Sequence, residues 1–145
     1  MKQEEASFFF GAALAGSGLV ATLAGGFAAT RWQRRTGTGH AAMLALSAAA
    51  AAPMAWAAFS LAGLAAAKVA LVLTMFLLFL STGPVNTLIL ETVPAGMRAS
   101  AMAASIFAIH LLGDLWSPKI VGHLADRWDS LQRAVFWTLP GALVV

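Results

Sequence analysis

Four polar side chains lie within or at the ends of long apolar stretches: Asn86, Glu91, His110 and Asp114. An ionisable group at the centre of a membrane helix costs roughly 3 kcal/mol or more, so such groups usually face a bundle interior or a water-filled pathway. His110, Asp114 and Ser117 have the spacing i, i+4 and i+7, which predicts one helix face. Because imidazole takes up and releases protons near neutral pH, this face is a candidate site for a coupling proton or a polar substrate headgroup.

Two other interpretations of these residues lead to different chemistry. In the first, His110 and Asp114 pair with each other, or with polar groups of other helices, and only hold the bundle together. In the second, His110, Asp114 and Ser117 form a catalytic triad. On one helix, however, His110 and Ser117 are about 10 Å apart along the axis, too far for the hydrogen bond that catalysis needs. We therefore predict that the protein is not an enzyme.

The composition predicts an integral membrane protein. Hydrophobic residues make up 60% of the chain, charged residues 10%, and the mean hydropathy is +0.81, whereas a soluble domain is about half apolar and a quarter charged. The absence of cysteine excludes disulfides and thiolate metal sites within this chain. The basic cluster Arg31–Arg35 lies between apolar stretches and predicts a cytoplasmic membrane interface. We expect no nucleic-acid partner, no metal and no cofactor.

The apolar stretches predict an all-α helical bundle in the lipid bilayer. A membrane helix needs about 20 apolar residues, which predicts four spans, near 7–30, 40–61, 66–90 and 99–125. A fifth apolar run begins near Ala134 and reaches only Val145, so we expect a truncated fifth helix. Pro53 and the pair Gly83–Pro84 predict kinks, and the second kink is expected to expose backbone carbonyls beside Asn86.

Small residues predict close helix packing in the first span. They recur about once per turn, and include Gly11, Gly16, Gly18, Gly25 and Gly26. This face leaves an alternative open: a small, self-associating membrane scaffold or subunit that dimerises through its glycines.

Three segments resemble the major facilitator superfamily. The stretch Gly26-Phe-Ala-Ala-Thr-Arg-Trp-Gln-Arg-Arg35 resembles its loop motif of a glycine, three residues, an aspartate and a basic cluster, although Thr30 stands at the acidic position. Glu91 and Arg98 resemble the acidic–basic pair at the cytoplasmic end of its tenth helix. The stretch His110-Leu-Leu-Gly-Asp-Leu-Trp-Ser-Pro118 resembles the eleventh helix of spinster-like carriers, and Gly83-Pro-Val-Asn86 resembles their tenth.

The resemblance implies that residues 1–145 are the C-terminal half of a twelve-helix carrier, from helix eight to the start of helix twelve. It implies a secondary active transporter that moves a lipid-like or amphipathic small molecule by alternating access, with proton coupling as a further expectation. Arg31, Arg34, Glu91 and Arg98 would form a charge network at the cytoplasmic gate. The missing N-terminal half would be a necessary partner, so we expect that this fragment does not transport alone. The expected location is a bacterial inner membrane.

Overall fold

The computed structural model describes residues 3–61, 63–129 and 134, and these ranges are helical apart from short turns. No strand occurs among them, which confirms the all-α fold class. The predicted fifth helix falls almost entirely on residues 135–145, outside the described ranges. The elements, in chain order, are α1 (Gln3–Thr36), α2 (Gly39–Ser60), α3 (Leu64–Leu80), α4 (Thr82–Thr92), a 3-10 turn (Ala95–Met97), α5 (Arg98–Ala108), a π turn (Ile109–Asp114) and α6 (Ser117–Trp128).

Four described stretches are long and apolar enough to cross a membrane, as predicted. They are Ser7–Thr36, Gly39–Ser60, Leu64–Thr92 and Ala95–Trp128. The third contains α3 and α4, and the fourth contains α5, the π turn and α6. The protein is therefore a multi-pass integral membrane protein.

The chain divides into two compact units, Met1–Leu88 and Ile89–Val145. In the first unit, α1, α2 and α3 pack against one another. Its core is made of small side chains, chiefly alanines, because helices with small residues can approach closely in lipid. The buried alanines of this unit are Ala21, Ala29, Ala51, Ala55, Ala58 and Ala70.

Two glycines of α1, Gly25 and Gly26, let the backbones of α3 and α4 approach α1 closely. We call this contact the glycine seat. A Cβ atom on Gly25 would overlap the carbonyl oxygen of Leu80, and a Cβ atom on Gly83 would lie 3.1 Å from the Cα of Gly26. By contrast, Gly11 and Gly16 have open space around them. The C-terminal half of the predicted glycine face therefore packs within the chain.

The interruption between α3 and α4 follows from Pro84. Proline has no N–H to donate to the carbonyl four residues before it, here that of Leu80. The Leu80 oxygen lies against Gly25 instead, and the Thr22 hydroxyl donates to the Phe79 carbonyl at 3.4 Å. The expectation that the loosened carbonyls would be exposed beside Asn86 is therefore wrong: α1 covers them.

The turn between α1 and α2 is fixed by Gln33 and two glycines. Gly37 ends α1 with a φ of +75°, a conformation that glycine adopts without a steric penalty. The Gln33 amide donates to the Gly37 carbonyl at 2.9 Å, and its side-chain oxygen accepts the His40 N–H at 3.2 Å. A Cβ atom on Gly39 would overlap the main chain of Gln33. The arginine cluster therefore lies at the end of α1, directly before a turn that is fixed by hydrogen bonds and close backbone contacts.

The glycine seat predicts opposite effects for one substitution at two positions. Gly25→Ala places a methyl group against a main-chain oxygen that cannot easily move, so it should destabilise the complete gene product by about 1–3 kcal/mol. Gly16→Ala, the matched control, should leave stability unchanged or raise it by up to about 1 kcal/mol, because alanine favours helix. Unfolding in detergent micelles measures both. Equal effects of the two substitutions would contradict the seat.

Candidate functional site

The fourth apolar stretch contains a π turn at Ile109–Asp114. Its widened hydrogen bond runs from the Leu115 N–H to the His110 carbonyl at 3.1 Å, a step of five residues. An uninterrupted helix was predicted here, and that prediction is wrong. The reason is Pro118, which cannot donate to the Asp114 carbonyl and would crowd it in a regular helix. The helix restarts at Ser117 with Pro118 in its first turn, where proline is tolerated.

His110 and Asp114 are brought together on this turn. The His110 Nδ1 and Asp114 Oδ2 atoms are 2.5 Å apart, and the two side chains are 66% and 68% exposed. Within α5, the π turn and α6, neither side chain has another hydrogen-bond partner. The pair therefore keeps an imidazole Nε2 and a carboxylate oxygen available to a ligand on the same turn of helix.

Ser117 does not share the face of this pair, contrary to the prediction. A π turn adds one residue to an α-helix, and one residue corresponds to about 100° of rotation. Everything after the turn is rotated by that amount relative to an uninterrupted helix. Ser117 therefore leaves the line through His110 and Asp114. The sequence signal that could have shown this is Pro118, placed four residues after Asp114.

Asn86, another candidate, lies in α4 with an exposed side chain. It belongs to the first unit, whereas His110 and Asp114 belong to the second. Its role in a substrate pathway stays a prediction.

Arg31 and Arg34 line an open groove on α1 with a volume of about 500 Å³. The rest of its lining is apolar or hydroxyl-bearing: Thr22, Leu23, Gly26, Phe27 and Thr30. Thr30, which stands at the acidic position of the loop motif, donates to the Gly26 carbonyl of its own helix at 2.8 Å. The threonine is thus satisfied without an arginine partner.

Glu91 and Arg98 flank the turn between α4 and α5 in the second unit. The Arg98 Nε donates to the Leu90 carbonyl at 3.1 Å, so this guanidinium closes the turn through the main chain. The Glu91 side chain is exposed. No ion pair joins Glu91 to Arg98 in the described part of this unit, and their predicted network with Arg31 and Arg34 stays a prediction.

Lys119 also lies off the face of the pair. Its Nζ is 5.9 Å from the centre of the Trp116 ring, within the range of a cation–π interaction. Among the described residues, no group of three or more His, Cys, Asp or Glu side chains gathers at metal-binding distance.

Comparison with curated proteins finds two relatives in Arabidopsis thaliana. One, described as probable sphingolipid transporter spinster homolog 2, is 33% identical over 125 residues, which are 86% of this chain and 26% of the relative. The other, probable sphingolipid transporter spinster homolog 3, is 34% identical over 134 residues, or 91% of this chain and 26% of the relative. The chain is a homologue of spinster carriers of the major facilitator superfamily.

The homology confirms the resemblance seen in the motifs. The spinster-like chain spans about a quarter of the length of the curated relatives it matches. No family model matches it. No solved structure matches it either.

If Pro118 causes the π turn, its removal should restore a regular helix. Pro118→Ala supplies an N–H for the Asp114 carbonyl, so α6 should rotate by about 100° relative to α5. Spin labels at Phe107 and Ile120, which are exposed on the two sides of the turn, should then change their separation by several ångströms. Gly122→Ala, in open space within α6, is the control and should leave the separation unchanged. An unchanged separation in Pro118→Ala would contradict this origin of the turn.

Proposed function

We propose that this chain is part of a secondary active carrier that moves a lipid-like or amphipathic solute across the membrane by alternating access. The observation that carries the proposal is the exposed His110–Asp114 pair on a π turn, in a segment homologous to spinster transporters. Because both relatives are described as probable sphingolipid transporters, a sphingolipid is the first substrate class to test.

The depth of the pair supports a role in a pathway. It lies near the middle of the stretch Ala95–Trp128, where a charged group in contact with lipid is costly. No residue of α5, the π turn or α6 is buried in the described structure. A pair that avoids lipid must therefore face either a water-filled cavity or further protein.

Further protein is the second part of the proposal. The relatives are about four times as long as the aligned segment, and carriers of this kind move one half against the other around a central site. We propose that residues 1–145 form the C-terminal half and that an N-terminal half supplies the opposite wall of the cavity. On this proposal, the chain alone does not transport.

The gate charges form the third part. We propose that α2 and the stretch of α3 and α4 each cross the membrane once, which would return Glu91 and Arg98 to the side of Arg31 and Arg34. Ion pairs between a helix end and the preceding loop can break and form again as a cavity opens. We propose that Glu91 pairs with Arg31 or Arg34 and that Arg98 holds the turn beside them.

The driving force and the location complete the proposal. His110 is the candidate carrier of a coupling proton, because imidazole titrates near neutral pH. The bacterial inner membrane stays a prediction, since both curated relatives come from a plant.

The scaffold alternative has less support. It requires the glycine face of α1 as a dimer interface, but Gly18 and Gly25 of that face contact Phe79 and Leu80 of the same chain. Gly26 has Gly83 of the same chain against its backbone, whereas Gly11 and Gly16 have open space around them. We therefore favour the carrier.

The test is uptake of a labelled sphingolipid into proteoliposomes that hold the complete gene product under an imposed proton gradient. We expect uptake above that of protein-free vesicles and no dependence on ATP. Absence of uptake in well-folded protein, for this solute and for other single-chain amphipathic lipids, would contradict a carrier.

The gate is tested in the same assay by exchanging charges. Arg31→Glu, Arg34→Glu and Glu91→Arg should each change uptake. Reversing the charge of the arginine that pairs with Glu91 should lower uptake on the order of tenfold. The matching double variant, with Glu91→Arg, should recover most of that loss because the pair is restored in reverse. Arg35→Glu is the control outside the network. A loss of uptake in Arg35→Glu equal to that in the other single variants, or no recovery of uptake in either double variant, would contradict the network.

A further inference from the structure

We infer that the π turn is an exchange site, which holds either a proton on His110 or the positively charged headgroup of an amphipathic amine on Asp114, but not both. This inference rests on the proposed carrier function. It adds the charge of the transported molecule and the direction of its coupling to protons, which the homology leaves open.

The pair has two charge states that differ by one unit. With a neutral imidazole, His110 and Asp114 together carry one negative charge. With a protonated imidazole, the pair is neutral. Because Nδ1 and Oδ2 are only 2.5 Å apart, the imidazolium charge sits directly on the carboxylate and competes with any other cation for it.

The backbone around Asp114 also favours a cation. Pro118 has no N–H for the Asp114 carbonyl, so this oxygen lacks its usual donor from four residues ahead. A carboxylate and carbonyl oxygens only accept hydrogen bonds, whereas an alkylammonium group only donates them. The site therefore suits an amine and disfavours a phosphate.

Simultaneous occupation is opposed by electrostatics. An ammonium group on the free Asp114 oxygen and an imidazolium on the other would be two positive charges a few ångströms apart, and like charges at this distance disfavour each other. When the amine binds, the N–H bond of the imidazolium breaks and its proton passes to water on the side to which the cavity is open. One positive charge enters the site as one leaves it, which is a one-for-one exchange.

Other charges within this unit do not replace the pair. Lys119 lies over the Trp116 ring, and His123 follows two turns further on in α6. Arg98 is sixteen residues before Asp114, about 24 Å along the helix, and Glu91 is further still. Asp126, Arg127 and Asp129 lie at or just after the end of α6, twelve or more residues from Asp114, which is about 18 Å or more along the helix.

The experiment compares two single-chain lipids that differ in one charge. The complete gene product in proteoliposomes is given a long-chain amino alcohol or its N-acetylated analogue, which is uncharged, and affinity is measured between about pH 5 and pH 8. The amine should bind on the order of tenfold more tightly at the high end of this range than at the low end, because fewer protons then compete with it for the pair. The affinity of the acetylated analogue should not change with pH.

Four variants assign the effect to the pair. Asp114→Asn should bind the amine and the acetylated analogue equally, whereas Asp126→Asn, the control acid in α6, should keep the preference. His110→Gln should bind the amine without pH dependence, whereas His123→Gln should keep the pH dependence. Binding of the acetylated analogue at wild-type strength shows that each variant is folded.

The outcomes separate this inference from the carrier proposal. Transport of neither lipid by wild-type protein would overturn the carrier. Transport of both lipids with equal affinity at every pH, or a pH dependence that survives in His110→Gln, would overturn the exchange site and leave the carrier standing. A further comparison replaces sodium by choline in the buffer. Tighter binding of the amine without sodium would show that sodium competes at Asp114. The site would then select positive charge rather than amines, which would overturn the assignment of an amine.

Discussion

The need of every main-chain carbonyl for a partner in lipid is the constraint that shapes this chain. Three prolines lie inside predicted membrane spans, and each deprives a carbonyl of its usual donor. Pro53 lies within α2, which continues through it from Gly39 to Ser60, whereas the helix is interrupted near Pro84 and Pro118. At Pro84 the break is covered by α1, where the bare backbone of Gly25 lies against the Leu80 oxygen and the Thr22 hydroxyl donates to the adjacent Phe79 carbonyl. At Pro118 the helix widens into a π turn, and residue 118 offers no N–H to the Asp114 carbonyl. One break is thus covered by protein, and the other is open.

The break near Pro118 carries the polar side chains of the candidate site. A π turn is rare and frequently marks a functional site, and here it carries the ion pair of His110 and Asp114. The covered break has the opposite character, with small residues and no ionisable group in contact.

Much of the fold could be predicted from the sequence, because long apolar stretches specify membrane helices. The four spans, the interruption near Gly83–Pro84 and the closeness of His110 to Asp114 all follow from spacing and composition. The π turn did not follow, because helical periodicity assumes one regular pitch through Pro118, and Ser117 was therefore assigned to the wrong face. The cover over the Leu80 carbonyl was also missed, since it depends on which residue of α1 meets α3. The roles of Asn86 and of the gate charges depend on tertiary contacts that spacing does not specify.

The central claim is that the His110–Asp114 pair faces a water-filled pathway that opens to each side of the membrane in turn. The most direct measurement is the reaction of a cysteine at Asp114 with a membrane-impermeant thiol reagent, added from either side of the complete gene product in vesicles. This chain has no cysteine of its own, and Leu112→Cys, on the opposite side of the helix, is the matched control. If the pathway opens to both sides, Asp114→Cys should react from both sides, a transported lipid should slow the reaction, and Leu112→Cys should be inert. An unreactive Asp114→Cys, or equal reaction at both positions, would contradict the central claim.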